Sequence, residues 1–312
     1  MLTFWTGFNY RSNLTPEVIP TFPPLIGSDD LLLYEGKSEI IPWSGWWWPF
    51  YEKMPPNLYN SKGPIDKYDQ VSLNRGSSLP PALPWEKEHH YTNRKVQSWF
   101  GHCNGWAAAA VLEPEPQSPR EVAGIYFEVN DIMGLLSEWH WFDSAVAFYG
   151  TRYDDKNDTI DDIFPHEFHT LLINYIGKQG LPIILDISGG TSERLNPMIS
   201  NFPAFQYKFS YRPDKRNGKK THVHCRLWFT NFTRPSNLGL KTFVEDYYYW
   251  IEGDKGNPTS GAWETAREGG WNSHGDSRKK HPDFMWYPAV AKNHPILNHS
   301  QYLEIVGQGE NR

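Results

Sequence analysis

The chain has 312 residues and a net charge of −6, and no basic run in it suggests a nucleic-acid or anionic-membrane surface. Its length allows one large domain or two small ones, and its two cysteines, Cys103 and Cys225, are too few for a disulfide scaffold. Aromatic residues make up 16%, with 15 Trp, which predicts a core and clefts built from large amphipathic rings.

Met1-Leu2-Thr3-Phe4-Trp5 lacks the basic start and apolar core of a signal peptide, and no stretch approaches the ~20 apolar residues of a membrane span. Such a chain is cytoplasmic unless it leaves by another route or has lost a leader. The Asn-x-Ser/Thr sites at Asn13, Asn157, Asn231 and Asn298 do not establish secretion. Residues 1–90 read as irregular, aromatic-rich chain that braces the rest, densest at Pro42-Trp43-Ser44-Gly45-Trp46-Trp47-Trp48-Pro49-Phe50-Tyr51. Pro80-Pro81-Ala82-Leu83-Pro84 reads as a polyproline connector into a catalytic domain over residues 91–312, the whole forming one compact unit.

Gln97-Ser98-Trp99-Phe100-Gly101-His102-Cys103-Asn104-Gly105-Trp106 comes next, followed by Ala107 to Ala110 and a stop at Pro114 and Pro116. This predicts a short buried helix that starts at Cys103. Unpaired N–H groups and the helix dipole there favour a thiolate, the nucleophilic form of cysteine, although a lone Cys is most often a buried filler. Further on, Ile125 to Val129 fits a short strand and Asn130 a helix cap. The acidic loop Asp154, Asp155, Asp158, Asp161 and Asp162 is solvated, with calcium as the alternative, although it lacks the EF-hand spacing. No other cofactor is expected.

The second half reads as antiparallel strands. Phe168 to Ile176 and Leu181 to Ile187 form an expected hairpin about Gly177-Lys178-Gln179-Gly180, and Phe205 to Tyr211, His222 to Phe229 and Thr242 to Ile251 are further strands. Helices in front and strands behind predict an α+β fold, with a central helix carrying the cysteine against an antiparallel sheet. In that hairpin's register His169 and Asp186 share a face as diagonal neighbours. A carboxylate within Ile183-Ile184-Leu185-Asp186-Ile187 needs a partner, and His169 supplies one, either as a structural pair or as a base and its orienter. His102 and His140, the latter three residues before Asp143, compete as bases. Gln97 is the candidate oxyanion donor, and Trp99 and Trp106 are candidate walls against water. His222 and His224 share a strand face, but no second cluster completes a ligand set, so no metal is expected.

The run Trp99-Phe100-Gly101-His102-Cys103-Asn104-Gly105-Trp106-Ala107, continuing to Leu112-Glu113-Pro114-Glu115-Pro116, resembles the transglutaminase elicitor family of oomycetes and some bacteria. Supporting matches are Pro42-Trp43-Ser44-Gly45 with Trp48-Pro49, Phe168-His169 with Asn174, Asp186, and His281-Pro282-Asp283-Phe284-Met285-Trp286. The resemblance implies a papain-like thiol core and a protein-glutamine γ-glutamyltransferase, with Cys103 as nucleophile, His169 as base and Asp186 as orienter. Its substrates would be protein Gln and Lys side chains, its location secreted or translocated. Any regulatory protein partner is unknown, and no nucleic acid or membrane insertion is involved. The family's elicitor peptide has a Trp-Asn-Gln-Pro core where this chain has Leu195-Asn196-Pro197, and its members are richer in cysteine. The alternatives are a cysteine protease, amidase or glutamine deamidase on the same site, or a non-catalytic recognition module on a hydrolase-like core.

Overall fold

A computed structural model describes residues 33–50, 57–90, 99–151, 162–187, 199–290 and 293–307. Gln97, Leu195-Asn196-Pro197 and all of the acidic loop except Asp162 lie outside them. In chain order the elements are β1 (Glu35–Lys37), α1 (Pro64–Asn74), α2 (Ala82–His89), α3 (Cys103–Leu112), β2 (Arg120–Val122), β3 (Ile125–Phe127), α4 (Val129–His140) and β4 (Ser144–Gly150). There follow α5 (Pro165–Leu172), β5 (Ile183–Asp186), β6 (Asn201–Pro213), β7 (Lys220–Thr230), β8 (Thr242–Asp254), β9 (Asn257–Trp263), β10 (Phe284–Ala289) and α6 (His299–Val306).

The sheet is antiparallel throughout, in the order β4-β10-β5-β6-β7-β8-β9. Near its middle β6 also pairs with β1, opposite Gln206 to Lys208. The three long strands expected over 205–211, 222–229 and 242–251 are present and longer. The β6–β7 turn closes on Asp214, whose carboxylate accepts the N–H groups of Arg216 and Asn217 at 2.6 and 2.7 Å. The α+β class therefore holds, and α3 packs on β5, β6 and β10 as a cysteine-bearing helix against a sheet.

Ala107 to Ala110 are fully buried, so this turn of α3 is small-sided all round. Gly105 lets α4 come close: a Cβ there would lie 2.0 Å from the Ser137 carbonyl oxygen and 2.9 Å from the Trp141 nitrogen. The aromatic strap at residues 42–50 is tied to both layers. Trp43 Nε1 donates to the Glu113 carbonyl at 3.1 Å, the Ser44 hydroxyl exchanges hydrogen bonds with the Lys241 backbone, and the Trp47 carbonyl accepts the His102 N–H at 2.7 Å. Among the described residues no helix is long and apolar enough to cross a membrane.

Four local expectations fail. Residues 1–90 are not irregular throughout, because Pro64 at the first turn opens the helix α1 over Pro64–Asn74. The polyproline connector is helical, because Pro81 at the N-cap and Pro84 in the first turn of α2 sit where their missing N–H groups cost nothing. The α4 cap is Glu128, whose N–H donates to Asp131 at 2.8 Å, while Asn130 bonds the Pro235 carbonyl. The fourth failure matters most. The expected first hairpin strand is α5, followed by a π-helical turn at Ile173–Lys178. Pro165 opens the helix, Glu167 accepts the Phe164 N–H at 3.2 Å, and Phe168, Leu171 and Leu172 are buried at helical spacing. Only β5 is extended, so the register that paired His169 with Asp186 does not exist.

Candidate active site

Cys103 is the first residue of α3, as its sequence predicts, with His102 at the N-cap. Its sulfur lies 3.6 Å from Asn201 Nδ2 and 3.9 Å from the Ile199 carbonyl oxygen. The amide orientation is settled by chemistry. Trp286 Nε1 can only donate, and it donates to Asn201 Oδ1 at 2.8 Å, so Nδ2 faces the sulfur. Thus β10 orients a side chain at the start of β6 toward the helix of the nucleophile. Asp186 at the end of β5 pairs in register with Asn201, and its Oδ1 accepts the Ser200 N–H at 2.6 Å. The structure therefore brings Cys103 and Asp186 to one place.

The thiol is not the depressed one expected of a helix start. Burial pushes Cys103 up, the Asp186 charge adds to this, and the Asn201 hydrogen bonds pull the other way without prevailing. Both cysteines are free, as catalysis by Cys103 would need, and Cys225 is buried in β7.

His169 is not beside the cysteine. Its ring stacks on Phe209 at 4.2 Å, with Nδ1 2.7 Å from the Tyr249 hydroxyl and Nε2 donating to the Lys255 carbonyl at 3.0 Å. Asn201 and Phe209 are eight residues apart on β6, which at ~3.3 Å per residue puts roughly 26 Å of strand between the two sites. Burial lowers the His169 pKa to about 3, and both ring nitrogens are engaged. It ties α5 to the sheet and does not form a triad with Cys103 and Asp186.

The other candidates are equally specific in place. His140 pairs with Asp143 at 2.6 Å and faces Glu113 at 3.5 Å; burial would lower its pKa, but those carboxylates hold it above the ordinary value. Among the described residues no histidine hydrogen-bonds to the Cys103 sulfur. Trp99 is half-buried against Phe100, whereas Trp106 is fully buried beside Phe202 and Phe232 and is core, not an open wall. His222 pairs with Asp214 and Glu264, and His224 with Asp246. Asn201 was missed by sequence reading. Its one signal was Trp286, within the His281-to-Trp286 motif.

The family model of the transglutaminase elicitors matches residues 86–222, which run from the end of α2 through the cysteine segment, β5 and β6. No curated protein matches the chain. The chain is similar in structure to the GP42 transglutaminase from Phytophthora sojae, with a TM-score of 0.66 and 19% identity, over 88% of this chain and 91% of that one. At that identity the likeness shows the fold. The resemblance carried by the Cys103 motif thus holds over residues 86–222, where the chain is similar to the transglutaminase elicitors.

Proposed function

We propose that the chain is a cysteine-dependent acyltransferase, a protein-glutamine γ-glutamyltransferase acting through Cys103. The observation that carries this is the sulfur at the start of a buried helix, held by an amide that Trp286 orients, on a fold shared with a transglutaminase. Asp186 takes the thiol proton as sulfur adds to the glutamine carboxamide. Ammonia leaves with a proton, and a thioester remains. A lysine amine then attacks the thioester, forming the isopeptide bond and returning a proton to the sulfur. Asn201 Nδ2 and the first N–H groups of α3 are the donors within reach of the developing oxyanion. The thiol-protease-like character of the core, protein substrates bearing Gln and Lys, and secretion or translocation all belong to this proposal and rest on the family.

A second reading, a recognition module on a hydrolase-like core, is favoured by the raised thiol and by the distance of His169 from it. Incubation with a glutamine-bearing protein and a labelled amine separates the readings. Amine incorporation by the wild type and none by Cys103→Ala is expected. Ammonia release without incorporation would replace the transferase by a deamidase or other hydrolase. Neither product, with Cys103 alkylated no faster than a free thiol, would favour the recognition module.

A further inference from the structure

A second polar cluster lies behind the cysteine, on the far side of its N-cap residue. Glu86 and His90 are one turn apart at the end of α2, His102 caps α3 and Glu138 lies on α4. All four are buried, and one donor atom from each lies within 4.8 Å of the others. Phe50 stacks on His90 and meets His102 edge-on, and Trp141 lies 4.4 Å from His90, so the surroundings are aromatic.

The hydrogen bonds around the cluster fix where its lone pairs point. His102 Nδ1 lies 3.1 Å from the Trp48 carbonyl oxygen, which can only accept, so Nδ1 carries the hydrogen. With Nδ1 engaged in this way, Nε2 faces Glu138 Oε2, only 2.6 Å away. Each of those two atoms is buried without a hydrogen-bond partner among the described residues, as is Glu86 Oε1. His294 shows the opposite arrangement. Its Nδ1 accepts the N–H groups of Ile296 and Leu297, so Nε2 donates to Glu138 Oε1 at 3.2 Å. Glu138 is thus anchored by one oxygen and presents the other to the cluster. His90 Nδ1 lies 2.7 Å from Glu86 Oε2. Lone pairs converging in an apolar cage are costly unless a cation lies between them.

We propose that Glu86, His90, His102 and Glu138 bind one divalent transition-metal ion of the zinc, iron(II) or manganese class. Two imidazoles and two carboxylates are a donor set these ions accept. Calcium takes six to eight oxygens, and the two carboxylates supply at most four, one already bonded to His294. Bonds of about 2.0–2.1 Å place tetrahedral donors roughly 3.3 Å apart, so a cluster spanning 4.8 Å closes on an ion by small side-chain rotations. Trp48 and His294 are the outer partners that orient ligands in such sites. The ion would join the end of α2, the cap of α3 and α4. It would hold the residue before Cys103 in place, a positioning role that does not depend on what Cys103 does. The expectation of no metal looked for a compact motif, and these ligands are scattered from residue 86 to 138.

The test uses the full chain, stripped by a chelator, dialysed into metal-free buffer and titrated with Zn²⁺ alone and with Co²⁺ alone. Elemental analysis after removal of free ion should find one equivalent per chain in the wild type, in Cys103→Ala and in His224→Gln. It should find less than a tenth of an equivalent in Glu138→Gln and His102→Gln. Bound Co²⁺ should show visible d–d absorption without a thiolate charge-transfer band, and Zn²⁺ should raise the wild-type Tm by several degrees. A folded wild type that takes up no ion overturns the proposal. So does a thiolate band, loss of binding in Cys103→Ala, or full binding by folded Glu138→Gln. Should both ligand variants fail to fold, the wild-type stoichiometry and the Co²⁺ spectrum still decide.

Discussion

His169→Gln tests the structural assignment of the histidine expected to be the base. His169 is fully buried, and burial lowers its pKa from 6.5 to about 3. Between those values the unfolded chain binds a proton that the native chain refuses, so stability rises with pH across this window. The contribution is complete above pH 6.5 and is lost progressively as pH falls toward 3. At 1.36 kcal/mol per pKa unit the full loss is about 5 kcal/mol, of which about 2 kcal/mol falls between pH 8 and pH 5. Gln cannot titrate and keeps at most part of the hydrogen bonding to Tyr249 and Lys255. The variant should therefore be less stable at pH 8 by about 1–3 kcal/mol. Its stability should also fall less steeply with acid, by about 2 kcal/mol over the same interval. Urea unfolding of both proteins at pH 8, 6.5 and 5 measures this directly. Other histidines contribute equally to both curves and cancel in the difference. Parallel curves would refute the buried neutral state of His169. Lost turnover with unchanged stability would restore His169 as the base.

Asp186→Asn should slow amine incorporation by several orders of magnitude while the protein stays folded by circular dichroism; near-normal rates would remove Asp186 as the proton acceptor. Asn201→Ala leaves Trp286 Nε1 without its acceptor and the sulfur without its side-chain donor, so acyl transfer should drop at least tenfold, with a stability loss of about 1–3 kcal/mol by urea unfolding. Gly105→Ala puts a methyl 2.0 Å from the Ser137 carbonyl oxygen and should lower stability by at least ~1–3 kcal/mol; a neutral result would contradict the close packing of α3 on α4. Cys225→Ala should keep full activity at a cost on the order of 1 kcal/mol, and thiol titration of the denatured, unreduced wild type should count two free thiols.

Local signals in the chain determined the parts of this protein that need no distant partner. Ala107 to Ala110 and the stop before Pro114 specify a helix with Cys103 at its start, because helix propensity and proline sterics act within one or two turns. The strands at 201–213, 220–230 and 242–254 follow from runs of β-branched and aromatic residues bounded by turn formers. Tertiary structure decided the rest. The apolar run from Phe168 to Ile176 fits helix and strand alike, and Pro165 with the sheet behind it selected the helix, which carried His169 away from Cys103. Asn201 meets Cys103 across 98 residues of chain and Trp286 across 85, and no local periodicity encodes such contacts. The same holds for Glu86, His90, His102 and Glu138, whose donor atoms converge because three helix ends are packed together around them.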